Sequence, residues 1–371
     1  MPLNLGLPIA PPKWWYGPPV AVNIKKYDVA GIGNALLDYQ VEVPFSFLEK
    51  HHLKRGSMTL VDANFQHKIL DESVQTFGLS SIRTTSGGCA ANTLAGVVSY
   101  GGSGIFMGKV AKDDQGEAYM NDLRHCGLDT SIVPEVGNRT GTCVALITPD
   151  AERTMLTNLA ISTEIKETDI LAEKIEASEI VYVEGYLWDP PLGRAASLRA
   201  MEIAKQKGRK VSFTFSDSFC VERHHQDFVE LAKTKIDILF CNEHEAIKAT
   251  GARTIIEAFQ IMRAWAPIVC CTTGPKGALL SDRAKNIVEH VPTWHVRLVD
   301  KLGAGDLFAA GVLYGLTHDY SLRDAGHLGC YSATRIIQQM SARLEESLAP
   351  YIETALQGPT NEEAQLAAAV V

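Results

Sequence analysis

Six short apolar runs, each parted from the next by a segment long enough to hold a helix, restrict what this chain can fold into. They are YDVAGIG (27–33), GIFMGKV (104–110), EIVYVEGY (179–186), KVSFTF (210–215), IDILFC (236–241) and PIVCCTTG (267–274). Apolar over most of their length, they read as strands buried on both faces. Amphipathic stretches near 64–77, 89–100, 113–125, 191–207, 242–250, 254–265, 303–317 and 321–339 predict helices between and after them. Strands alternating with helices imply a parallel sheet covered on both sides, an α/β fold of three layers. The 371 residues suffice for one large α/β domain or two ordinary ones.

Two regions break that rhythm. Residues 36–61 and 131–160 are rich in β-type sequence, including TCVALITPD (142–150) and RTMLTNL (153–159). They predict a small β lid inserted into the α/β body and lying over the C-terminal edge of its sheet, where it would exclude water. Residues 1–25 hold prolines, Trp14, Trp15 and Tyr16 and no acid. They read as an N-terminal extension, draped on the surface or docked through the aromatic triplet onto the body or a partner. It lacks the pattern of a secretory or transit peptide. Residues 26–356 form the expected domain and 357–371 a C-terminal tail.

A net charge of −8 argues against nucleic acid or an anionic membrane as partner, and no apolar run is long enough to span a bilayer. The eight cysteines show no C-x-x-C spacing and sit in apolar runs, which suggests buried thiols in a reducing compartment and a cytoplasmic location. Neighbouring histidines His51-His52 and His224-His225 diverge on a helix and read as surface residues rather than a metal site.

Nucleotide-binding signatures narrow the function. GIGNAL (31–36) and GAGDLF (303–308) both lack the third glycine of a Rossmann fingerprint, and Gly108-Lys109 is followed by Val110, so no P-loop is present. DKLGAGDLFAAGVLYGL (300–316) follows the expected strand WHVRLVD (294–300) and opens a helix. The N–H groups of Gly303, Ala304, Gly305 and Asp306 would sit at its N-terminus as an anion site. Asp306 there is either a capping carboxylate or a base beside an anion hole. Phosphoryl transfer to an alcohol needs the second arrangement, because the acceptor loses a proton while backbone dipoles hold the transferring group.

Residues 300–315 resemble the C-terminal signature of the ribokinase/PfkB family of carbohydrate and nucleoside kinases. SGGCAANTLAGVVSYGG (86–102), CNEHEA (241–246) and TTGPKGAL (272–279) match three further family motifs in the family's order. YDVAGIGNALLDYQVEV and ERTMLTNLAISTEI look most like the adenosine kinase branch. The resemblance implies a ribokinase-like three-layer sandwich with a mostly parallel sheet and a β lid, ATP and Mg²⁺ as cofactors, and a nucleoside or sugar as acceptor. It also implies a monomer or homodimer, with the likeness to adenosine kinases favouring a monomer.

The same resemblance assigns roles. Asp306 would be general base, with Gly303, Ala304 and Gly305 as anion hole. Asp38, Gly87, Gly88 and Asn92 would hold the sugar; taken alone, Asp38 fits a turn and the glycine pair a tight bend. Asn242 and Glu245 would organise Mg²⁺ through water, although alone they read as a helix cap with a helical glutamate. Thr273, Gly274 and Gly277 would line the nucleotide side. Arg153 either reaches over a phosphate or pairs with a surface acid. Lys301 departs from the family's usual Thr, pointing either to solvent or inward to a phosphate or Asp300. Three functions stay open: an adenosine-type kinase, a kinase for another nucleoside or sugar, and a family member that lost activity and serves as a binding or structural subunit.

Overall fold

The computed structural model describes residues 27–150 and 152–360; the extension 1–25, with its aromatic triplet, lies outside them. In chain order its strands are β1 (Tyr27–Ile32), β2 (Leu36–Glu42), β3 (Met58–Leu60), β4 (Ile82–Ser86), β5 (Gly104–Met107), β6 (Asp129–Thr130) and β7 (Gly141–Ile147). There follow β8 (Arg153–Asn158), β9 (Ser178–Glu184), β10 (Lys210–Thr214), β11 (Ile238–Asn242), β12 (Ile268–Thr272), β13 (Ala278–Asp282) and β14 (Ile287–Val291).

A nine-stranded sheet runs in the order β14-β13-β12-β11-β10-β9-β1-β5-β6. It is parallel from β12 to β6, and only β13 and β14 pair antiparallel. Helices cover both faces, so its middle strands are apolar on both sides; all four residues of β5 are buried. The second sheet has five strands, β3-β8-β7-β2-β4. The helices Phe45–Lys50 and Ala63–Phe77 pack on one of its faces through Phe47, Leu48 and Ile69.

The eight expected helices all form, within a few residues of their expected bounds. Three features differ from the sequence reading. Residues 294–300 join neither sheet: among the described residues only their Val299 and Asp300 N–H groups find acceptors, both at the Ile337 carbonyl. Their apolar alternation instead packs Trp294 edge-on to Tyr331, ring centroids 5.1 Å apart. β4 belongs to the small sheet although it lies outside 36–61 and 131–160, and 36–61 itself contains the helix Phe45–Lys50. His51 and His224 are half-buried with partners, His51 against the Phe47 ring and His224 on Asp189, whereas His52 and His225 are exposed. All eight cysteines are free thiols, and six are buried.

Candidate active site

In the larger sheet the chain passes from β1 to β5 on one side and later returns to β9 on the other, so the strand order reverses beside β1. Ligands of open parallel sheets bind at such points, outside the carboxyl ends of the strands. A cleft of about 460 Å³ lies there, lined by the tips of β1, β9, β10, β11 and β12 and by residues of the small sheet. Glu184, the last residue of β9, braces its floor. Its carboxylate accepts from Asn34 N (2.7 Å), Asn34 Nδ2 (2.8 Å) and Ala90 N (2.9 Å), joining the β1 turn to the start of the helix Cys89–Ser99. Burial pushes the Glu184 carboxyl up to about 7, against the pull of those bonds. Nothing but an acid in an otherwise apolar run marked it in the sequence.

The glycine pair serves close approach. Gly88 has φ 91, and a Cβ there would lie 2.1 Å from the Asn34 carbonyl oxygen. At Gly87 the Cβ position is taken by the Asp38 carboxylate, 2.5 Å away, so only glycine lets that acid lie against the turn. Asp38 is 8% exposed. Burial pushes its carboxyl up to about 7, with Asp306 adding to the shift and Arg153 and Arg343 opposing it. Asp38, Gly88 and Asn92 line the cleft; Gly87 stands just behind them.

The helix Ala304–Thr317 begins at Gly303, in left-handed conformation at φ 76, with no side-chain cap. Ala304 N–H turns back to the Lys301 carbonyl at 3.3 Å, so the fully open donors are fewer than the four expected. Gly303, Gly305 and Asp306 N–H find no acceptor among the described residues, and a Cβ at Gly305 would meet nothing within 4 Å. This uncapped start with room above it is what an anion requires. Asp306 shares the turn and accepts from Asn92 Nδ2 at 3.0 Å. Burial pushes the Asp306 carboxyl up to about 6, while the Asn92 bond, the neighbouring Cys89 thiol and the Arg343 charge hold it lower than burial alone would. Arg343, which no sequence motif singled out, donates from Nε to Asn92 Oδ1 at 3.1 Å.

Arg153 follows neither expected course. It pairs through Nε (2.6 Å) and Nη2 with Asp300, a buried acid, and it does not line the cleft. Asp300 Oδ1 also accepts from Leu302 N at 3.1 Å, so the pair ties the first residue of β8 to the turn before Gly303. Lys301 does reach the cleft rim, mostly solvent-exposed at 67%, with Nζ 3.9 Å from Glu152 of the small-sheet region.

At the β11 end Asn242 and Glu245 form a reciprocal cap. Asn242 N donates to Glu245 Oε2 (3.0 Å), Nδ2 to Oε1 (2.5 Å), and Glu245 N to Asn242 Oδ1 (3.0 Å). Both line the cleft with Asp217, and burial, then the Asp217 charge, sends Glu245 up to about 7. Thr273, Gly274 and Gly277 lie just beyond the cleft, whose edge is Thr272. Thr273 Oγ1 donates to the Gly277 carbonyl at 3.0 Å, and a Cβ on Gly277 would sit 2.0 Å from Val291 O. Among the described residues Asp189, Cys220 and His224 lie within 4.8 Å of one another, but Arg223 already occupies both Asp189 oxygens at 2.9 and 2.8 Å. Leu36, Met58, Leu60, Met155 and Leu159 of the small-sheet region, together with Phe219, give the cleft an apolar lining.

The comparisons with known proteins agree with this architecture. The model of the pfkB family of carbohydrate kinases matches residues 55–348. An adenosine kinase of Saccharomyces cerevisiae is 27% identical over 327 residues, 83% of this chain and 94% of its own. Two solved structures are each 34% identical with a TM-score of 0.84, covering 89% of this chain and 99% of theirs: a probable sugar kinase protein from Rhizobium etli CFN 42 and the adenosine kinase from Sinorhizobium meliloti. The fold is therefore ribokinase-like, and the chain belongs to the pfkB family of carbohydrate kinases, phosphotransferases that act on an alcohol group.

Proposed function

We propose that this kinase phosphorylates the 5′-hydroxyl of a nucleoside, adenosine first among them, with ATP as donor. The observation that carries the reading is the Asp306 turn. A carboxylate raised to about 6 and three N–H groups without an acceptor among the described residues share one turn and face one cleft. Asp306 takes the hydroxyl proton as the acceptor oxygen bonds the γ-phosphorus and the bond to the leaving ADP oxygen breaks. The Gly305 and Asp306 amides, with Gly303 and Ala304 shaping the turn, hold the transferring group. Asp38 and Asn92 orient the ribose hydroxyls, and Gly87 and Gly88 admit it close to the backbone. The apolar wall of Met58, Leu60, Met155 and Phe219 suits a nucleobase better than a polyol.

Thr273, Gly274 and Gly277 border the nucleotide end, and Arg153 acts through Asp300 on the turn. Asn242, Glu245 and Asp217 present only oxygen and amide groups, a set that fits Mg²⁺ with its waters; bound there, the ion would neutralise phosphate charge. Residues 26–356 would form the kinase domain, with the small sheet as its lid. One face of that sheet is covered by its own helices, which favours a monomer. The free thiols fit a reducing, cytoplasmic setting.

Purified protein with MgATP and a panel of nucleosides and sugars, read by ADP release, tests this. Adenosine is expected to turn over fastest; preference for ribose or fructose would transfer the reading to a sugar kinase, and no turnover of any acceptor by folded protein would sink it. Asp306→Asn should lower kcat by roughly 10²- to 10⁴-fold with KM little changed. An unchanged kcat would leave Asp306 as a cap.

A further inference from the structure

We infer that Arg343 is a positioning residue for the reaction: its guanidinium fixes which way the Asn92 amide faces, and so holds Asp306 and the acceptor turn in one geometry. The inference rests on the reading of Asp306 as base.

Arg343 lies beyond the last turn of the helix Leu322–Ile336, in a stretch that looks like an ordinary surface connection, yet it is only 7% exposed. Its fork is fully engaged. Nε donates to Asn92 Oδ1 at 3.1 Å, Nη2 to the Gly87 carbonyl at 3.3 Å, and Nη1 to Asp122 Oδ2. The plane lies near the Tyr119 ring, 5.7 Å from its centroid, and Tyr119 OH donates to the same Gly87 carbonyl at 3.2 Å.

A guanidinium can only donate, so the Asn92 oxygen must face Arg343. The amide nitrogen is thereby turned to Asp306, 3.0 Å away. With the amide reversed, an oxygen would meet the carboxylate and the base would lose a donor. Gly87, held by the same guanidinium, is where the Asp38 carboxylate packs. The preceding residue presses on the anion turn, for a Cβ at Gly303 would come within 2.9 Å of the Ala342 carbonyl oxygen. A purely structural ion pair with Asp122, which is 40% exposed, would need none of the contacts to Asn92 and Gly87.

The groups bearing on Asp306 are Cys89 on its helix, Tyr182 and Glu184 on β9, Asp38 on β2 and Arg343 itself. Removing the one cation among them raises the carboxyl's proton affinity, so the acidic limb of kcat moves to higher pH. Arg343→Met is expected to lower kcat by roughly 10- to 100-fold, the scale of a small misplacement of reacting groups. The limb should move as stated, with the KM for ATP nearly unchanged. Following acceptor KM over the same pH range separates the sites, since an effect seated on Asp38 moves KM and one seated on Asp306 moves kcat. Arg343→Lys keeps the charge without the fork, and should restore the limb but only part of kcat.

Wild-type kcat and limb in folded Arg343→Met would overturn the inference, as would a lowered melting temperature with both unchanged. If that variant does not fold, Asp122→Asn decides: a smaller fall in kcat supports the inference, and none overturns it. Loss of turnover in Asp306→Asn with no effect at Arg343 defeats this inference alone, whereas retained turnover in Asp306→Asn defeats the base reading beneath it.

Discussion

A methyl group added at Gly305 would meet no atom within 4 Å, whereas one added at Gly303 would press on the Ala342 carbonyl at 2.9 Å. Gly305 is thus a glycine that packing does not require. Gly305→Ala should leave the melting temperature unchanged or slightly raised, since Ala is about 0.8–1 kcal/mol the better helix residue. It should lower kcat/KM for ATP by about 10-fold or more, because the methyl fills the room above the open donors. A variant as active as wild type would place the phosphate elsewhere. Asp306, raised to about 6, also sets a pH expectation. In the proposed role of base Asp306 works only when deprotonated, so kcat/KM should fall as pH drops through about 6 in the free enzyme. A profile flat from pH 8 to 5 would contradict it.

Between elements, the contact that organises the site is Glu184, which joins the ends of β1 and β9 to the first turn of the helix Cys89–Ser99. A carboxylate offers only acceptors there, and three donors converge on it. Glu184→Gln would turn an NH₂ group toward one of those N–H donors. The expected cost is about 1–3 kcal/mol, the penalty for a buried polar group left without its partner. Thermal unfolding measures it, and an unchanged midpoint would show that the brace is dispensable. The motif SGGCAAN is legible in sequence because Gly87, Gly88 and Asn92 are local to one turn. Its partners Glu184 and Arg343 are 94 and 251 residues away in the chain. No periodicity connects such positions; only the parallel sheet and the return of the chain after the helix Leu322–Ile336 bring them together.

For the molecule as a whole, two of the ion pairs that join the region of the small sheet to the body differ sharply in burial, which separates their expected worth. Arg153–Asp300 is 7% and 2% exposed, while Lys301–Glu152 is 67% and 39% exposed at 3.9 Å. Asp300→Asn strands a buried guanidinium and should destabilise by about 3–5 kcal/mol. Lys301→Thr, which restores the family's usual residue, should change stability by less than about 1 kcal/mol. Denaturant unfolding of the two variants compares them; equal losses would refute the ranking. The sequence left Arg153 and Lys301 with two options each because neither burial nor partner can be read from residue type.

The apolar runs alone determined a parallel sheet covered on both faces, since strands without a polar face cannot sit anywhere else. The glycines of 86–102 and the glycines and acids of 300–316 likewise determined the turns, because left-handed backbone and close approach restrict the residue type locally. Tertiary structure decided what those turns face. It withdrew 294–300 from the sheet, brought β4 into the small sheet, committed Arg153 to a buried acid and set Arg343 against Asn92. Each of these depends on a contact between residues far apart in the chain, whose energy arises only once the chain has closed upon itself.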